Sequence, residues 1–314
     1  MYDIISYYNM KRTMKKRSRS KSSRKKMNKK YSRRNRLRRN RLSRRKLKGG
    51  EGTPDENISY KLKYPFSEHT EQINWSELSI NPNAIQMLEE NLDKVNWHQL
   101  SRNPNAIQLL EANPDKIIWG NLSANPNAIQ LLETNQDKIS WLRLSENPSA
   151  IQLLEANPDR INWNYLCANP NAIQLLQANP DRINWNMLSG NPNAIQLLEE
   201  NPDRINWNTL SRNPNAIHIL AENLDKVNWH FLSVNPNAIP ILEQHFANID
   251  WILLSSNPTA IHILGENLDK VDWHVLSANP NAIPILENNL DNVDWTRIWS
   301  NPSIFEEEIP YLLK

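Results

Sequence analysis

Eleven tryptophans, from Trp75 to Trp295, recur every 22 residues without a single insertion or deletion. So strict a period obliges every unit to follow the same backbone path. It also displaces the domain count that a length of 314 residues would otherwise suggest. A representative unit, Ile161 to Arg182, reads I-N-W-N-Y-L-C-A-N-P-N-A-I-Q-L-L-Q-A-N-P-D-R.

Two helix starts lie inside each unit. The residue before the Trp is Asn, Ser or Asp in ten of eleven units, Ile118 being the exception. These side chains accept from the unpaired N–H groups of a first turn. The second start is an Asn-Pro pair, such as Asn169 and Pro170, in which Asn caps and Pro takes the first helical position, where no N–H is needed. Helix A is then expected from Trp163 through Cys167 and helix B from Pro170 to Ala178, with Asn179 closing it in the left-handed conformation. Pro114, Pro158, Pro180 and Pro202 follow that Asn and forbid continuation.

Apolar residues sit at helical spacing, with Trp163 and Leu166 three apart and Ala172 and Leu176 four apart. Helices this short do not persist alone, so each must bury its apolar face on the neighbouring units. The expected fold class is all-α: an α-solenoid of about eleven 22-residue two-helix repeats, drawn out as a rod or arc about 100 Å long at the usual separation of packed helices. A leucine-rich β-solenoid has units of similar length but needs alternating leucines in a strand pattern, which no unit contains.

Charge divides the chain. Residues 1–50 hold 22 Lys or Arg against the single acid Asp3, giving +21; residues 51–314 hold 15 bases against 33 acids, giving −18, and together these make the formal +3. From Lys11 to Lys48 there is no acid and almost nothing apolar, so residues 1–50 are expected as a disordered basic tail. Its candidate polyanion-binding residues are Lys15, Lys16, Arg17, Arg24, Lys25, Lys26, Arg33, Arg34, Arg38, Arg39, Arg44 and Arg45. A solvated tail or a nuclear-targeting signal would use the same residues. Residues 51–72 follow as linker and N-terminal cap, with Tyr60, Leu62, Tyr64, Pro65 and Phe66 expected to cover the first repeat; residues 73–305 are the repeats and 306–314 a C-terminal cap.

Catalytic, cofactor and metal sites are not expected. The lone Cys167 stands where most units have Ser and reads as a tolerated substitution in a reducing compartment, not as a nucleophile. His218 and His262, and His98, His230 and His274 after their tryptophans, bring no second Cys or carboxylate at ligand spacing. The Trp column reads as core, not as a platform for stacking bases. Glu and Asp columns along the repeats, each Asp usually followed by Lys or Arg, are expected to form weak surface ladders and to repel nucleic acid from the repeats. No apolar run is long enough to span a bilayer, and the first ten residues make a poor secretory signal.

What varies among units is as informative as what is constant. The two positions after each Trp change freely, and Arg143, Tyr165, Met187 and Phe231 among them are residue types enriched at interface centres, so they form the candidate protein-binding stripe. The column Gln108, Gln130, Gln152 and Gln174 is the next candidate.

The unit W-x-x-L-S-x-N-P-N-A-I-x-L-L-E-x-N-x-D-K, over about residues 73–305, resembles the tandem repeats of uncharacterised proteins of giant DNA viruses of the mimivirus group. The resemblance implies a viral source, and with it a host cytoplasm, virus factory or virion setting, with nuclear entry open through the basic tail; it brings no established activity. Gly49 and Gly50 resemble the double-glycine sites processed by some large DNA virus proteases. The reading is a non-enzymatic, monomeric scaffold without cofactor that binds a viral or host protein through the repeats, touches nucleic acid non-specifically through the tail, and meets no membrane. The alternative is a virion-associated or nucleic-acid packaging protein that acts through the tail.

Overall fold

The computed structural model describes residues 60–307. The basic tail, its candidate polyanion-binding residues, the Gly49 and Gly50 site and residues 308–314 lie outside the described residues. The chain divides into two units, Met1–Glu56 and Asn57–Lys314, and the described residues all belong to the second.

The chain is helix-rich and built from repeating short helices. In the unit that starts at Trp163, helix A is Trp163–Leu166 and helix B is Ile173–Gln177, and a 3-10 turn, Pro180–Arg182, follows. Nine of the eleven residues preceding a column Trp accept an N–H of the helix A that follows; Ile118 and Ser140 do not. Two local expectations are corrected. Helix B begins three residues after the Pro, at Ile173, because Asn169 accepts the Asn171 N–H and so closes a turn, not the first turn of a helix. Asn179 sits at φ −134°, ψ 60°, not in the left-handed region. Its amide donates back to the Leu175 carbonyl at 2.9 Å and satisfies the helix end without a positive φ. The second Pro does not merely stop helix B; it opens the 3-10 turn.

The core consists of columns that run from unit to unit. The Leu of helix A, the Ala before helix B and the last Leu of helix B are almost completely buried throughout, as at Leu188, Ala194 and Leu198. Two polar columns are equally buried. In all eleven units the Asn of Asn-Pro donates both amide hydrogens to carbonyls of the preceding unit: Asn191 reaches Cys167 O at 3.0 Å and Asn169 O at 2.8 Å, while its own oxygen accepts Asn193 N–H. The Ser of helix A donates to its Trp carbonyl and accepts the backbone N–H at the next unit's cap, as Ser189 does from Asn206. Every buried polar atom in these columns is thereby matched, which a low-dielectric interior requires.

The first unit is bonded to the last in the same register. Asn81 donates to Trp299 O at 2.9 Å and Asn301 O at 3.1 Å, and Asn83 donates to Pro302 O, as Asn105 does to Pro82 O. These are the interior bonds with unit eleven standing as the predecessor of unit one. The expected rod or arc is therefore corrected: the array closes on itself, as head-to-tail interfaces do when their rotation sums to a full turn, about 33° per unit. Several neighbouring helices A pack side by side, as Trp75–Ile80 does on Trp97–Leu100 and Trp251–Ser256 on Trp273–Ser277.

Closure explains the irregular ends. Unit eleven supplies helix A positions as the 3-10 turn Ile298–Ser300 and then leaves the pattern as strand β2, Phe305–Glu307. Its second half comes from the other end of the repeat region. Phe66, one period before Leu88, fills the Leu column at 0 % exposure, and the 3-10 segment Phe66–Gln72 stands in for helix B. Strand β1, Tyr60–Leu62, pairs antiparallel with β2, Leu62 opposite Phe305. Trp299 replaces the column Ser and donates its indole N–H to Gln72 O at 2.9 Å, and Arg297 pairs with Glu77 at 2.6 Å. The segment expected to cover the first repeat is thus the missing half of the eleventh.

Candidate functional site

The variable positions meet in a seam between neighbouring helices A. At two seams the second residue after the Trp lies against the residue two places after the Leu of the preceding unit. A Cβ on Gly190 would stand 2.8 Å from the Thr209 methyl, and the Arg212 guanidinium lies 5.2 Å from the centroid of the Phe231 ring. Of the expected stripe, Arg143 is exposed and paired with Glu146 at 3.1 Å. Tyr165, Met187 and Phe231 are half-buried in the seam, and Met187 packs on the core. The more exposed column is the residue immediately after the Trp, at His98, Leu142, Asn164, Asn186, Asn208, His230 and Ile252.

That outer column carries a pairing that sequence spacing did not show. Asn184, Asn206 and Asn228 donate to the side-chain oxygens of Asn164, Asn186 and Asn208, each 20 residues earlier. At two of the three caps that are Asp, which has no hydrogen to donate, the partner is a histidine: His230 Nδ1 lies 2.6 Å from Asp250 and His274 Nδ1 2.6 Å from Asp294, while Asp272 faces Ile252 at the corresponding position. Donor and acceptor have exchanged sides. Partial burial pushes the Asp250 carboxyl up, but the Leu253 N–H and His230 outweigh it and leave it below the usual value. At Asp294 burial acts the same way, while the Thr296 hydroxyl, His274 and two backbone N–H groups hold the carboxyl at about 2. On helix B, His218 meets Glu199 and His262 meets Glu243, both at 2.8 Å. Four of the five histidines named from the sequence, His218, His230, His262 and His274, therefore do have carboxylate partners, 19 or 20 residues away, where a search at ligand spacing along the chain does not look.

The tryptophans are half-buried, and cations cover several of their exposed faces. Lys94 lies 4.7 Å from the Trp75 ring centroid and Lys138 4.6 Å from that of Trp119, with Arg160, Arg182, Lys226 and Lys270 on Trp141, Trp163, Trp207 and Trp251. At the closure His69 stacks on Trp295 with centroids 3.8 Å apart. The expected Asp–Lys ladders are accordingly sparse: among the described residues only Lys116 pairs with its neighbouring Asp115. The cations gain more over a partly desolvated indole than in an exposed ion pair. Cys167 performs the work of the column Ser, its Sγ accepting Asn184 N–H at 3.2 Å, and burial pushes its thiol up.

Frame and surface together define a repeat protein whose variable side chains ride on an invariant, hydrogen-bonded backbone. The family model described as Periplasmic copper-binding protein (NosD) matches residues 68–228, just over half of the chain and seven whole units, and the chain belongs to that family. The same unit continues from Trp229 to the closure, so the end of the match is no boundary in the fold. No curated protein and no solved structure matches the chain. Among the described residues no group of three or more His, Cys, Asp or Glu side chains gathers to hold a metal ion. The His–carboxylate pairs offer two ligands each, and the one thiol is buried and already bonded. The described residues do not fit a resident copper ion.

Proposed function

We propose that this protein is an α-solenoid closed into a ring that serves as a rigid, non-enzymatic scaffold for a protein partner, viral or host, with a basic tail that holds nucleic acid or another polyanion. The observation that carries the reading is the contrast between columns. Leu, Ala, Ser and Asn inside the array barely change, while the residues beside each Trp change from unit to unit on a frame too regular to distort. Such a frame presents a fixed set of side chains at little entropic cost, which is what an extended binding surface needs. The net charge of −18 over residues 51–314 favours protein over nucleic acid as the ligand of the ring. In keeping with the giant-virus resemblance, we place the protein inside the infected cell or in the virion, without a membrane anchor and as a monomer.

A second reading, a virion-associated or packaging protein in which the tail acts and the ring is a spacer, rests on the 22 bases of residues 1–50. Affinity capture with the full chain and with residues 51–314 separates the two. Recovery of the same partners by both supports the scaffold; loss of every partner on removal of the tail overturns it in favour of the second reading.

A further inference from the structure

We infer that the exposed face of helix B in the first six units is a docking strip for an extended, basic polypeptide. The inference rests on the scaffold reading and names the chemistry of its partner. Gln86, Gln108, Gln130, Gln152, Gln174 and Gln196 occupy one column of this face, and all are exposed. Gln86 and Gln196 each reach the Glu four residues on; the other four amides make no side-chain hydrogen bond among the described residues. The position three residues later, on the same helical face, is Glu in five of these six units, and among those only Glu199 is paired, with His218.

The fold does not require these glutamines. In units seven to ten the same position is His218, Pro240, His262 and Pro284, and helix B forms there as before. Nor is sequence drift absent from this surface: four residues after each Gln the chain has Glu90, Ala112, Thr134, Ala156, Ala178 and Glu200. An exposed residue without a structural duty that stays fixed while its neighbours change is fixed by what it meets.

The partner's chemistry follows from the charges. Lys94, Lys138, Arg160 and Arg182 lie over Trp rings and Lys116 pairs with Asp115, so the Glu column from Glu89 to Glu155 remains uncompensated and selects a positive ligand. A Gln amide both donates and accepts, matching the backbone of an extended chain. Because the Glu side chains recur once per unit along the strip, basic side chains spread along an extended chain match them better than the same charges gathered at one end.

The test uses the full-length protein and a fluorescent peptide of Arg-Ser-Ala triplets about 18 residues long, read by anisotropy at low salt. Binding is expected to weaken about tenfold or more when Gln108, Gln130, Gln152 and Gln174 are all changed to Ala, and likewise when Glu111, Glu133 and Glu155 are changed to Gln, with thermal unfolding unmoved. A peptide of the same composition with its arginines gathered at one end should bind more weakly. The inference is overturned if the triplet peptide does not bind, if either folded variant binds it as the parent does, or if the gathered peptide binds equally well. Partner capture by the glutamine variant reports separately on the scaffold reading, which stands if capture persists and falls if the parent itself captures nothing.

Discussion

Asn81 and Asn191 make the same three bonds, one at the closure and one in the middle of the array, and that equivalence tests the closed form directly. Asn191 donates to Cys167 O and Asn169 O at 3.0 and 2.8 Å and accepts Asn193 N–H at 3.0 Å; Asn81 donates to Trp299 O and Asn301 O at 2.9 and 3.1 Å and accepts Asn83 N–H at 3.0 Å. Both side chains are fully buried. Asn191→Ala removes a turn-closing bond worth about 1 kcal/mol and strands two interior carbonyls at about 1 to 2 kcal/mol each, for a total of about 3 to 5 kcal/mol. In the closed array Asn81→Ala costs the same. Were the array open in solution, Asn81 would face water, its two donated bonds would go to solvent, and the substitution would cost only the turn-closing bond, about 1 kcal/mol. Urea unfolding of the two variants, followed by circular dichroism with slopes checked for equality, gives both numbers. A loss at Asn81 of about 1 kcal/mol beside one of 3 or more at Asn191 would refute closure.

Burial separates the two apolar columns of helix A: Leu188→Ala, at a side chain with 0 % exposure, should cost about 3 to 5 kcal/mol, and Trp185→Ala, at a half-buried one, about 2 to 3 kcal/mol, so equal losses would contradict the packing. Because the Asp294 carboxyl is held at about 2 in the folded chain against 3.8 when free, its contribution is complete above the free value and is lost as pH falls through that interval. Asp294→Asn should therefore lose less stability on acidification from pH 4 to 2 than the parent; identical acid profiles would sink the assignment. The tail should bind DNA or RNA without sequence preference, weakening steeply between about 50 and 200 mM salt, while residues 51–314 should not bind, and equal affinity of the two would overturn its role. Mass spectrometry of the native N-terminus checks processing after Gly49 and Gly50: an intact Met1 or Tyr2 argues against it.

The sequence alone set the 22-residue frame, the helical character, most of the caps and the Leu and Ala columns, because these depend on residues within one unit. Asn before Trp caps wherever it occurs, and Leu four residues after Ala faces the same way in every copy. Only the tertiary structure decided three other things. Closure depends on a rotation of about 33° per unit, and an error of a few degrees in each would turn a ring into an open arc, so no single unit encodes it legibly. The fusion of Phe66–Gln72 with Ile298–Ile304 into one unit joins segments more than 220 residues apart, visible in the sequence only as Phe66 standing one period before Leu88. Partner choice for the charged groups was likewise hidden. His230 with Asp250, and Lys94 over Trp75, are contacts across a period of the array, made by lateral stacking and by the preference of a cation for a half-buried indole over an exposed carboxylate.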